Sequence, residues 1–120
     1  MPYRVIVAKE LAEMLGVLAH PNRIRIIEEL RDGERDVKSI QAALGISHSG
    51  VSQHLMTLRA HRLVSERREG RQVFYRLRQP ELATWLTDAM HFLEDSEAAA
   101  QLHKAIKRTR AAWAADGVES

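Results

Sequence analysis

A helix stop and a helix cap stand side by side at Gly45-Ile46-Ser47, and this spacing constrains the fold more than any other feature of the chain. Glycine ends a helix readily because it enters the left-handed conformation without a Cβ clash. Serine opens the next helix because its hydroxyl accepts a bond from an unpaired N–H of the first turn. Upstream, Asp36 is placed to cap a short helix in which Val37, Ile40, Ala43 and Leu44 share one face. Downstream, Ser47 opens a helix with Val51, Leu55 and Leu58 inward and His48, Ser49, Ser52, Gln53 and Met56 outward. So short a turn cannot return one helix antiparallel along the other, so the two must cross steeply.

The flanks continue the helical period and then interrupt it. Ala8 to Ala19 carries Leu11, Met14, Leu15 and Leu18 on one face, which predicts a first helix. Pro21 suits a first helical position, and Ile24, Ile27 and Leu30 mark a second helix that ends at Gly33. After Leu58 the period falls to two. Val64 to Arg68 and Val73 to Leu77 read as strands joined by a turn at Gly70. From Pro80 the helical period returns with Leu82, Trp85, Leu86, Ala89 and Leu93. Asp95-Ser96 is a place for it to break, before Ala99, Leu102, Ile106 and Trp113 extend a weaker stripe towards Gly117. One helix and two are both compatible with this stretch. The expected fold is therefore mainly α with a small β-hairpin, about five to six helices in a single domain over residues 1–120.

Charge singles out the hairpin. Residues 59–78 hold seven arginines against Glu66 and Glu69, a net +5, whereas residues 1–58 balance to zero and 79–120 are mildly acidic. A basic run alone is usually a solvated face. Next to a three-turn helix with a polar outer face it acquires a partner, because such a helix fits the major groove of DNA, where base edges carry distinct donor and acceptor patterns. Gln53 suits a bidentate contact to adenine; Ser47, Ser49 and Ser52 suit phosphates or base edges near the helix start, and His48 suits either. Arg67, Arg68 and Arg71 on the hairpin, with Arg59 at the helix end, suit the flanking backbone, where positive charge displaces counterions. The DNA-reading core is expected over about 36–78. A winged helix that binds only another protein is the alternative the arginines argue against.

Other classes lose ground on composition. The chain has no cysteine, which removes disulfides, thiolate nucleophiles and sulfur-liganded metals. No phosphate loop, metalloprotease histidine pair or nucleophile motif occurs, and Ser47-His48-Ser49 has no orienting acid, so no enzyme is expected. No apolar run reaches membrane-spanning length, and the opening residues lack the pattern of a secretion signal, so a cytoplasmic protein without membrane contact is expected. A chain of 120 residues buries only about two-thirds of its unfolded surface, so a second copy would add useful apolar burial.

The run Leu44-Gly45-Ile46-Ser47-His48-Ser49-Gly50-Val51-Ser52-Gln53-His54-Leu55-Met56-Thr57-Leu58-Arg59, with Leu63-Val64 and then Arg67-Arg68-Glu69-Gly70-Arg71-Gln72-Val73-Phe74-Tyr75-Arg76-Leu77, resembles the ArsR-type winged-helix family. Leu18-Ala19-His20-Pro21-Asn22-Arg23 fits as well, and the match extends over roughly residues 8–95. The resemblance implies a homodimeric repressor on an inverted-repeat operator, released by a metal or small molecule. It implies an interface through the first and fifth helices, at about 8–19 and 80–114, to which Leu11, Leu15, Leu18, Leu82, Trp85, Leu86, Ala89 and Leu93 would contribute.

The family's metal sites do not transfer. Its thiolate box aligns with Glu34-Arg35-Asp36-Val37-Lys38-Ser39-Ile40, which has no sulfur. Its fifth-helix site aligns with Gln79 and Glu81, then Phe92 and Asp95, so two of four ligands are missing. No cofactor is expected. A zinc- or nickel-responsive variant with a site shifted onto His91, Asp95, Glu81 and His103 is the alternative, since imidazole and carboxylate suit those ions. Of the remaining histidines, His20 reads as a cap or packing residue, His54 as packed beside the buried stripe, and His61 as a helix-end residue favoured by the dipole.

Overall fold

The computed structural model describes residues 2–94 and 99–119, which divide into two compact units, Met1–Gln79 and Pro80–Ser120. The first unit contains α1 (Pro2–Leu18), α2 (Pro21–Glu29), β1 (Arg35–Asp36), α3 (Val37–Leu44), α4 (His48–Ala60), β2 (Val64–Glu69) and β3 (Gln72–Leu77). Each expected boundary has a local cause. His20 Nδ1 accepts from the Asn22 N–H at 3.1 Å, just ahead of Pro21, and opens α2. Asp36 Oδ1 accepts from the Ser39 N–H at 2.9 Å and opens α3. Gly45 closes α3 at φ +68°, and Ser47 Oγ accepts from the Gly50 N–H at 3.1 Å to open α4.

The three helices α2, α3 and α4 enclose Ile26, Ile27, Leu30, Ile40, Val51, Leu55 and Leu58, all essentially without solvent contact. The hairpin closes the unit through Val64, Tyr75 and Leu77. β2 and β3 pair antiparallel from Val64 opposite Leu77 to Glu69 opposite Gln72, and Gly70 turns the corner at φ +61°. Two expectations are corrected within this unit. The α2 residue buried alongside Ile27 is Ile26 rather than Ile24, whose side chain stays exposed. The sheet has a third strand, β1, which pairs with the opposite edge of β3 through Arg35 and Tyr75. In addition α1 begins at Pro2, six residues ahead of the expected start at Ala8.

In the second unit the expected long helix is segmented. α5 covers Glu81–Ala89, α6 is a single turn at His91–Glu94, and α7 covers Ala99–Glu119. The break at Met90 is a tightening of the ladder, with Met90 N–H bonded to Thr87 and Leu93 N–H to Met90, three residues back in each case. The Asp95-Ser96 position lies outside the described residues. Ala83, Ile106 and Trp113 are the buried apolar side chains described in this unit. Among the described residues, no helix is long and apolar enough to cross a membrane.

Candidate DNA-reading surface

α3, the Gly45-Ile46-Ser47 turn and α4 present the outer face that the apolar pattern predicts. His48, Ser49, Gln53 and Met56 are exposed, and Ser52 is half-buried. Ser47 is exposed too, but its hydroxyl is already engaged as the cap of Gly50 and lies 3.3 Å from Ser49 Oγ. Gly50 itself is explained by that cap, since a Cβ there would stand only 3.1 Å from Ser47 Oγ.

The arginines expected to contact DNA divide into two kinds. Arg67 is committed to partners of its own chain at the surface: it pairs with Glu34 (2.6 Å) and Glu69 (2.8 Å) and lies over the Phe74 ring at 4.6 Å. These bonds raise the Arg67 pKa further, and the same Arg67 bonds hold Glu34 below the usual carboxylate range. Arg59 and Arg68 both turn to Glu66, at 3.1 and 3.4 Å, while keeping exposed side chains. Arg71, at the hairpin tip, has no ion-pair partner among the described residues and is the freest of the four. A groove of about 350 Å³ runs between the start of α4 and the hairpin, lined by Lys38, His48, Ser52, Arg68 and Arg71 among others. Lys38 was not legible as a contact from charge patterning, because it lies alone outside the basic block of residues 59–78. Its signal was its place in the first turn of α3, two residues past the Asp36 cap.

His54 packs on the inner flank of α4, half-buried, with its ring 4.4 Å from that of His20. Arg23 Nε donates to His54 Nδ1 at 3.2 Å, and a second Arg23 nitrogen donates to the Val17 carbonyl at 3.0 Å. Burial first, then the neighbouring His20 and Arg23, push the His54 pKa down. His61 Nε2 faces Glu13 of α1 at 3.5 Å.

The shifted metal candidates are not gathered into a ligand set among the described residues. Arg110 of α7 donates to His91 Nε2 at 2.8 Å and to Glu94 at 2.8 Å, so a cation already occupies the side of His91 that a metal would need. Glu81 lies in the first turn of α5, His103 is exposed on α7, and Asp95 lies outside the described residues. The expected interface residues also divide. Leu11, Leu15, Trp85 and Leu93 stay exposed in the single chain, Leu82, Leu86 and Ala89 are half-buried, and Leu18 is only 4% exposed, a core residue of its own unit. Tyr3, Val5, Ile6 and Val7 of α1 and Phe92 of α6 are further exposed apolar side chains that the apolar pattern does not single out, the last 82% exposed.

Two helices joined by the tight Gly45-Ile46-Ser47 turn, the second with polar side chains outward beside a basic hairpin, define a winged-helix reader of nucleic acid. Residues 20–66 match the family model of bacterial regulatory proteins of the arsR family. The chain is 36% identical over 90 residues to a transcriptional repressor SmtB homolog of Synechocystis, covering 75% of this chain and 68% of that protein. It is 42% identical over 85 residues to the transcriptional repressor SmtB of Mycobacterium tuberculosis, covering 70% of this chain and 63% of that one, so it spans about two-thirds of these relatives. Among solved structures, the homodimeric winged helix-turn-helix DNA-binding domain of a Mycobacterium bovis regulator superposes with a TM-score of 0.66 at 28% identity, over 78% of this chain and 91% of that chain. The chain belongs to the ArsR family and is a transcriptional regulator rather than an enzyme.

Proposed function

We propose that the protein is a cytoplasmic homodimeric repressor that places one α4 per subunit in the major groove of an inverted-repeat operator. The observation that carries this reading is the outer face of α4, where His48, Ser49, Gln53 and Met56 stand exposed beside the free Arg71 of the hairpin. Gln53 and Ser49 read base edges, and Arg71, Arg68 and Lys38 meet phosphates of the flanking backbone. The Met56 side chain adds an apolar surface of the kind that meets a thymine methyl. Exposed apolar side chains on α1 (Tyr3, Val5, Ile6, Val7, Leu11, Leu15), together with Trp85 and Leu93, are what the second copy covers. The inducer is not a thiolate-bound metal, since the chain has no cysteine.

Footprinting with the purified chain on its own promoter region tests this. Two protected half-sites are expected, related by inversion and spaced by about one or two turns of roughly 10 bp. A single unpaired half-site, or no protection, would overturn it.

A further inference from the structure

We propose that Glu66 is a positioning residue for DNA reading, whose carboxylate ties the C-terminal end of α4 to the hairpin and so sets the angle at which the two meet a duplex. The proposal rests on the DNA-binding reading above and deepens it.

Glu66 is the one acidic side chain of the hairpin turned inward: its side chain is 16% exposed, against 68% for Glu69 on the same strand. Its two oxygens collect three donors from three elements. Oε2 accepts from the Tyr75 hydroxyl of β3 at 2.7 Å and from Arg59 of α4 at 3.1 Å, and Oε1 faces Arg68 of β2 at 3.4 Å. Tyr75 is the residue directly opposite Glu66 in the strand register and is itself buried. Burial first, and then the Glu66 bond, push the Tyr75 phenol up to about 12, so it remains a donor throughout the physiological range. The Tyr75 bond, ahead of Arg59 and Arg68, keeps the Glu66 carboxyl below its ordinary range.

Two effects of this carboxylate on DNA binding have opposite signs, which makes them separable. As a bare negative charge near a polyanion it weakens every complex, by about two-fold for a phosphate 10 Å away in water and less in salt. As the common anchor of Arg59, Arg68 and Tyr75 it strengthens only the complex that needs α4 and the hairpin correctly set.

The test uses the full chain to select duplexes from a random pool. Dissociation constants at fixed salt are then measured for the selected duplex and for a shuffled duplex of equal composition. Glu66→Gln keeps the shape and removes the charge. It is expected to lose about ten-fold on the selected duplex, the worth of one bond to a charged group, while the shuffled duplex binds equally or up to about two-fold tighter. Tyr75→Phe removes one bond and retains the charge, with an expected loss of about three-fold on the selected duplex alone. The double variant should bind no worse than Glu66→Gln, because both changes remove the same anchor. Equal shifts on both duplexes in Glu66→Gln would overturn the proposal, and if that variant does not fold, an unchanged selected-to-shuffled ratio in folded Tyr75→Phe would do so. A wild-type chain that enriches no duplex removes the DNA-binding reading and this proposal together, whereas enrichment with an unaltered ratio removes the proposal alone.

Discussion

His54 shows how one side chain can link the reading helix to the rest of its unit. It sits one position from Gln53, about 100° further round α4, where it accepts from Arg23 at the start of α2 and lies with its ring tilted against that of His20. A histidine that accepts a guanidinium bond at Nδ1 is held neutral, and its pKa is lowered first by burial. The unfolded chain therefore takes up a proton at His54 at a higher pH than the native chain does, and stability rises with pH across that interval. As pH falls below about 6.5 the contribution of His54 is lost. The depressed carboxyls of Glu34, Asp36 and Glu66 begin to lose theirs only nearer their unfolded values of 4.5, 3.8 and 4.5. Thermal melting followed from pH 7 to pH 5.5 should show a falling midpoint, and His54→Asn, whose amide oxygen still accepts from Arg23, should flatten it. An equally steep fall in the variant would assign the titration to another group.

At the scale of elements, the hairpin and α4 are expected to divide the work of binding. Gln53→Ala should relax base preference with little change in the salt dependence. Arg71→Ala should weaken binding to all sequences and lower the salt slope by about one per lost phosphate contact. Titrating selected and shuffled duplexes at several salt concentrations decides it: a changed preference with an unchanged slope in Arg71→Ala would reverse the assignment. Much of this arrangement was legible in the sequence because its causes are local. Asp36, Gly45, Ser47 and Pro21 each act within about one turn of their position, and all four lie at the boundaries they announce. β1 was not legible, since two residues hold no period, and its existence depends on β3 lying alongside. Nor was the commitment of Arg67 to Glu34, which lies 33 residues away in sequence. Composition counts an arginine as available, and only the tertiary fold shows which acid has taken it. The segmentation after Met90 was hidden for a similar reason, because an apolar stripe continues across a local change of hydrogen-bond spacing.

For the molecule as a whole, the second copy is the largest expected stabilising term that the single chain lacks. Trp85 is exposed at 46% and is the natural anchor, since truncating a buried interface tryptophan costs roughly 2 kcal/mol or more. Sedimentation should show a wild-type dimer at micromolar concentration that Trp85→Ala dissociates by about thirty-fold more readily; a stable wild-type monomer, or an unmoved equilibrium in the variant, would rule the anchor out. The bare apolar flank of α1 carries this further. A newly made subunit shows Tyr3, Val5, Ile6 and Val7 to the surrounding water until it meets another. In the proposed dimer the second copy would hide that flank, and subunit lifetime would then depend on subunit concentration, because association stabilises by mass action. Under that reading, slow synthesis would leave orphan subunits with an uncovered helix, and faster synthesis would make pairs accumulate out of proportion to the messages translated. Dosage of such a dimeric regulator would follow the square of subunit supply at the low end, giving its target a threshold before any inducer enters the account.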